Sequence, residues 1–114
     1  MAKTSTGLEE NIAGLLSYVL GWITGIIFLL IEKENKFVRF HAMQSIVTFG
    51  ALTVISIVLS ILAIIPYIGI VFSIIGWLIG VLGFILWIVL MIKAYQGAMY
   101  KVPWAGNMAE KWVG

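Results

Sequence analysis

An all-α membrane protein is the fold class this sequence predicts: three transmembrane helices in a compact antiparallel bundle, closed by a short interfacial C-terminal segment. Three observations predict it. Of the 114 residues, 62% are hydrophobic and only 11% are charged, where a soluble domain carries roughly 45–50% apolar and about 25% charged residues. Mean hydropathy is +1.12. The charges gather into short clusters, which leave residues 11–31 and 42–92 without a single Asp, Glu, Lys or Arg. So few charges cannot cover a surface of this size in water, which excludes a soluble globular enzyme and a disordered tail. A single integral membrane domain over residues 1–114 fits the length.

The elements follow in order. A crossing needs about 20 apolar helical residues, and residues 11–31 supply one. Thr6-Gly7-Leu8-Glu9 matches a capping box, with Glu9 and Glu10 in a first turn where negative charge suits the helix dipole, so the first helix is expected over about 7–31. This stretch is about twice the length of a signal-peptide core, and it is read as a retained span. Residues 42–92 are too long for one crossing and sufficient for two. Ile65-Pro66-Tyr67-Ile68-Gly69 supplies the turn, because proline removes an N–H and glycine permits positive φ. With Asn35 as cap, the second helix is expected over about 36–65 and the third over about 69–96. The interfacial tail is expected over 97–114, where Trp104, Met108 and Trp112 share one face. A barrel would need many short alternating strands, and none is visible.

With three spans, Lys33, Lys36, Arg39, Lys93, Lys101 and Lys111 share one side and Lys3 stands alone on the other. The excess of basic residues on cytoplasmic loops then places the N-terminus outside and the C-terminus in the cytoplasm of a multi-pass cell-membrane protein. Tyr95, Tyr100, Trp104 and Trp112 suit the aromatic belt on the cytoplasmic side, and Tyr67 the outer one.

Small residues recur on each span. Gly69, Ser73, Gly76, Gly80 and Gly83 form one stripe on the third, Thr53, Ser56, Ser60 and Ala63 another on the second, and Gly14, Ser17 and Gly21, followed by Thr24 or Gly25, a third on the first. In lipid, such stripes let helix backbones approach closely. They pack the helices of one subunit, or they meet a second subunit. The polar cluster around Arg39, His41 and Gln44 is expected to form a hub that ties the second helix to lipid headgroups and to the tail, with Arg39 able to bind phosphate or carboxylate. His41 has no second acid–base group placed for catalysis, and no catalytic residue, cofactor or metal is expected. Cysteine is absent and His41 is the single histidine, so neither a thiolate nor a multi-histidine metal site can form. The net charge of +2, without a basic run, points to no nucleic-acid partner. The expected partners are the lipid bilayer and either a second copy or a larger membrane complex.

Gly7-Leu8-Glu9-Glu10-Asn11-Ile12-Ala13-Gly14, Val38-Arg39-Phe40-His41-Ala42-Met43-Gln44-Ser45 and Pro103-Trp104-Ala105-Gly106-Asn107-Met108-Ala109-Glu110 together resemble a family of small multi-pass membrane proteins of archaea and bacteria to which no activity is assigned. That family is distantly similar to the small inner-envelope membrane subunit of the chloroplast protein-import (TIC) translocon. The resemblance implies a multi-pass membrane protein and marks Arg39, His41 and Gln44 as signature positions. Three functions remain open at this stage: a self-associating structural or interaction subunit, an oligomeric passive conduit or translocation component lined by hydroxyls of the second helix, and a lipid- or pH-responsive regulator centred on Arg39 and His41.

Overall fold

Two helices are long and apolar enough to cross a bilayer, Lys36–Leu62 and Gly69–Tyr95. At 1.5 Å per residue each runs about 40 Å. They are α3 and α4 of a computed structural model that describes residues 4–113. The remaining helices are α1 (Glu10–Val19), α2 (Trp22–Ile31) and α5 (Ala105–Val113). The turn between α3 and α4 lies at Pro66 as expected, but its positive φ falls on Tyr67 (+67°) and not on Gly69; Tyr67 is at the tip, 95% exposed.

The expectation of three spans is corrected at the first of them. Residues 7–31 do not form one helix. They break at Leu20-Gly21 into α1 and α2, ten residues each, so each is about 15 Å long and neither can cross alone. Gly21 sits at φ +62°, ψ −133°, a conformation that a side chain with a Cβ rarely adopts. The two helices fold back on each other. Ser5, ahead of α1, hydrogen bonds Glu32, just past α2, and the Asn35 amide donates to Glu10 at the start of α1. The helix start is corrected too: α1 begins at Glu10, its N-cap Glu9 makes no side-chain capping bond, and Thr6 Oγ1 accepts from Leu8 N–H instead.

Broken backbone at membrane depth is tolerated only where protein satisfies its polar groups. Here the chain supplies them. Thr24 Oγ1 accepts from Leu20 N–H at 3.1 Å and lies 3.2 Å and 3.3 Å from the Ser17 and Gly21 carbonyls, between which its one proton is shared. Ser45 of α3 donates to Gly21 O at 2.7 Å, and the Trp87 indole of α4 donates to Tyr18 O. The α2–α3 crossing is close: a Cβ on Gly25 would lie 2.8 Å from Ala42 O.

The base of the hairpin is stitched as firmly. Glu32 is 0% exposed, and it accepts from Ser5 N–H and hydroxyl and from the N–H groups of Glu34 and Asn35. Arg39 Nη1 donates to Leu29 O and Glu32 O at the end of α2. Asn35 caps α3 as expected, accepting from Val38 N–H at 3.1 Å. Across the hairpin, the Asn11 amide reaches Tyr95 O of α4. The start of α1, the end of α2, the start of α3 and the end of α4 thus share one end of the molecule.

Burial is confined to that end. Between residues 49 and 89 only Gly69, wedged against Ala63 in the turn, is buried. Everything else in this stretch of α3 and α4 is a two-helix hairpin with an apolar, exposed surface.

Glu32 gives this end a pH dependence with a definite sign. Burial raises its pKa, but the hydrogen bonds from the Ser5 hydroxyl and from the N–H groups of Asn35, Ser5 and Glu34 together outweigh burial and hold the carboxyl below the ordinary glutamate range. A carboxylate of depressed pKa contributes stability that is complete above its unfolded value, about 4.3, and is lost as pH falls through the lower folded value. Protection factors of residues 5–12, with exchange rates corrected for the intrinsic effect of pH, should therefore stay constant from pH 7 to about 5 and fall below about pH 4. Glu32→Gln should exchange faster at pH 7 and lose that acid step; an unchanged acid step in the variant would show another group to be responsible.

Candidate functional site

The densest polar chemistry away from the hairpin base lies where α1, α3 and the segment after α4 meet. The helix ends create it. α4 closes in a Schellman motif: Gly97, at φ +80°, donates to Ala94 O, and Ala98 N–H donates to Lys93 O. This turns the chain back along α3, so that the backbone of Ala98, Tyr100 and Val102 faces His41 and Gln44.

His41 is sealed at 0% exposure. Three aromatic rings meet its imidazole edge-on, those of Phe37 at 4.6 Å, Phe40 at 5.2 Å and Tyr18 at 5.4 Å between centroids. Its Nε2 lies 3.0 Å from Ala98 O. A carbonyl can only accept, so Nε2 carries the proton and Nδ1 is left to accept from the Tyr18 hydroxyl at 2.7 Å. Tyr18 in turn accepts from Gln44 Nε2 at 2.8 Å. The second amide proton of Gln44 goes to Tyr100 O at 2.9 Å, and Gln44 Oε1 accepts from Val102 N–H at 2.8 Å. Every donor in this chain of bonds meets an acceptor, with neutral groups throughout. An imidazolium would carry a second N–H facing Tyr18, whose oxygen already receives the Gln44 amide.

The node therefore joins three elements through side chains of α3. Gln44 finds partners on α1 and in the tail, and His41 the same two. Tyr18 and Ala98 complete the set, and neither was among the sequence candidates. Arg39 lies outside the node: one guanidinium nitrogen is held by the two carbonyls at the end of α2, and the side chain is half-buried. The stripe residues divide between the two ends. Gly14 and Ser17 are buried at this end; a Cβ on Gly14 would meet Phe37 at 2.9 Å, and Ser17 donates to Ala13 O. Gly21 is the hairpin tip. Ser56, Ser60, Ser73 and Gly80 are exposed, Gly76 and Gly83 half-exposed, and Gly69 belongs to the turn.

The tail docks on α3 through its small residues. Ala105, Gly106 and Ala109 pack on α3, with Gly106 against Gln44 Oε1, while Trp104 and Trp112 point outward at 60% and 57% exposure. An ion pair of 2.9 Å between Lys101 and Glu110 closes its outer side.

Gln44→Leu keeps the volume, leaves the Tyr18 hydroxyl bonded to His41 alone, and strands Tyr100 O and Val102 N–H. Each stranded buried group costs about 1–3 kcal/mol. The variant should lose roughly 2–4 kcal/mol in unfolding measured in detergent, and its 98–113 segment should become open to protease. Unchanged stability with a protected tail would show that water replaces the amide at no cost.

Comparison with known proteins follows the same outline. Residues 5–109 match the family described as the magnetosome magnetite crystal formation protein family. A UPF0132 membrane protein of Methanocaldococcus jannaschii is 53% identical over 112 residues, covering 98% of this chain and 96% of its own length. One from Archaeoglobus fulgidus is 50% identical over 107 residues, covering 94% and 98%. A second from M. jannaschii is 52% identical over 106 residues, covering 93% of this chain and 71% of its own. No solved structure matches the chain. The relatives are named as membrane proteins, and the two long apolar helices place this chain in a membrane with them. It belongs to the magnetosome magnetite crystal formation protein family, as a relative of the archaeal UPF0132 membrane proteins.

Proposed function

We propose that this protein is a non-enzymatic structural subunit of a membrane assembly, with two crossings, a re-entrant α1–α2 hairpin, and self-association along the outer halves of α3 and α4. In this reading both ends of the chain lie on one side. All six lysines and arginines among the described residues stand at that end, and the Tyr67 turn carries none. The excess of basic residues makes that side cytoplasmic, and this replaces the outward N-terminus that three spans would require.

One observation carries the self-association. The small-residue stripes of α3 and α4 are only partly filled from within the subunit: Gly76 and Gly83 face Leu59 and Leu52 of α3, but Ser56, Ser60, Ser73 and Gly80 stay exposed, because the hairpin that was expected to be a third crossing stops at Gly21. A furrow follows the α3–α4 seam instead. One part, of about 280 Å³, is lined by Ser56, Ser60, Ser73 and Gly76 among others; a second, of about 300 Å³, continues past Gly80 and Gly83 to the hairpin tip. A Cβ on Gly80 would meet no atom within 4 Å. Small-residue surfaces of this kind give lipid-embedded helices their closest approach, and the chemistry that fits the furrow is a helix of a second copy.

The conduit reading is the weaker one. Thr53 and Ser60 hydroxyls donate to Phe49 O and Ser56 O of their own helix, so their protons are taken up without water. The regulator reading loses its free groups, since His41 and Arg39 are both engaged inside the fold. From the family we take no mineral chemistry, because the described residues contain no group of three His, Cys, Asp or Glu that could hold a metal ion. The relatives' names give no link to chloroplast protein import, and that role is not part of the proposal.

Gly80→Leu is the direct test, since the site is open within the subunit and the variant leaves the fold intact. In lipid nanodiscs the protein should have a mass at or above twice its 12.6 kDa, and Gly80→Leu should shift the population toward the monomer. A monomeric mass for the unmodified protein, or an oligomer indifferent to Gly80→Leu and Ser60→Leu alike, overturns the reading.

A further inference from the structure

The molecule is much wider at one end of its long axis than at the other. At the basic end, α1, α2, α3 and α4 lie side by side, with α5 packed on the start of α3. At the Tyr67 end only α3 and α4 remain. A helix with its side chains is about 10 Å across and so occupies on the order of 80 Å² of membrane area. The inner end therefore displaces about twice as much lipid area as the outer end, before α5 is counted.

The extra area belongs to the bilayer and not to water. The outward faces of the hairpin carry Ile12, Leu20, Trp22, Ile23, Ile27 and Leu30, all exposed, and neither α1 after Asn11 nor α2 contains a charged residue. The hairpin is also shallow. Its tip meets α3 at Ser45, nine residues past the α3 start, or about 14 Å along it. A hydrocarbon core is about 30 Å thick, so the hairpin stays within one leaflet. The structure is held in this shape, because both the tip and the base of the hairpin are hydrogen-bonded to α3 and α4.

We propose that the protein is a wedge whose preferred partner is a curved bilayer, with the leaflet that holds the hairpin on the convex side. An area inserted into one leaflet alone is accommodated where that leaflet is stretched, as for amphipathic helices that sense curvature. On a flat bilayer the same insertion compresses the lipids around it. This rests on the re-entrant placement proposed above, and it adds a preference that neither crossing number nor self-association supplies.

The chain lacks cysteine, so Lys111→Cys and Glu9→Cys, both exposed positions, each carry one dye. The labelled proteins are reconstituted into phosphatidylcholine vesicles of about 30 to about 200 nm diameter and read vesicle by vesicle with an impermeant quencher. Protein per lipid area should rise at least about twofold toward the smallest vesicles, and the externally quenched fraction should climb from about one half toward unity. Density and quenched fraction independent of diameter, with both dyes quenched in parallel, overturn the wedge and leave the re-entrant reading standing. If the Glu9 and Lys111 dyes respond oppositely, the re-entrant reading itself fails and the wedge falls with it.

Discussion

Lipid offers no hydrogen bonds, and a chain that breaks its helix inside lipid must satisfy the exposed backbone itself. That constraint shapes this molecule at Leu20-Gly21. The break takes the Leu20 N–H and the Ser17 carbonyl off the helical ladder, and leaves the Tyr18 and Gly21 carbonyls, which accept from Gly21 N–H and Gly25 N–H, with a lone pair to spare. Thr24, Ser45 and the Trp87 indole take them up. Because two of these three belong to α3 and α4, satisfying the turn also docks the hairpin. The rest follows: one end of the molecule acquires a buried interior, and the other stays a bare pair of helices.

The buried interior sets polar groups beside apolar ones: Phe28, Val38, Phe40 and Leu90 share it with Glu32, His41 and Gln44. Hydrophobic burial gives little net drive between helices in lipid, and hydrogen bonds and close packing do more of the work. Tyr18, His41, Gln44, Glu32 and Asn35 are all enclosed, and they bond to segments far away in sequence. His41 and Gln44 read the backbone of residues 98–102 as a strand would, and this fixes the tail on α3. A neutral node of this kind positions elements. The proposed contact with a second copy lies at the other end, along the small-residue furrow.

Much of this was legible in the sequence. The two long spans, the Pro66 turn, the Asn35 cap and the polar cluster around His41 each follow from a local pattern, such as a charge-free stretch, a proline three residues before a glycine, or a capping residue. The first segment misled because composition measures apolar length and says nothing of continuity. Residues 11–31 are apolar enough to cross, and Gly21 reads as one more small residue in a packing stripe. Only the joint presence of Thr24, Ser45 and Trp87 around its backbone reveals a turn, and two of those partners are remote. The node was half legible for the same reason. Gln44 at the membrane edge announces a need for partners, but Tyr18, Ala98, Tyr100 and Val102 are set by the hairpin and by the Schellman turn. The expected capping box at Thr6 failed because the chain there bends at Gly7 toward Glu32 and does not begin a helix.

The fold-back of residues 10–31 is tested most directly by a distance. Spin labels on Leu8→Cys and Lys33→Cys, measured by double electron–electron resonance in nanodiscs, should lie within about 20 Å of each other, because both ends of the hairpin meet at Glu32. A single continuous helix over the same stretch would hold them apart by about 33 Å or more, at 1.5 Å per residue. A distribution centred above about 30 Å would contradict the hairpin and everything built on it.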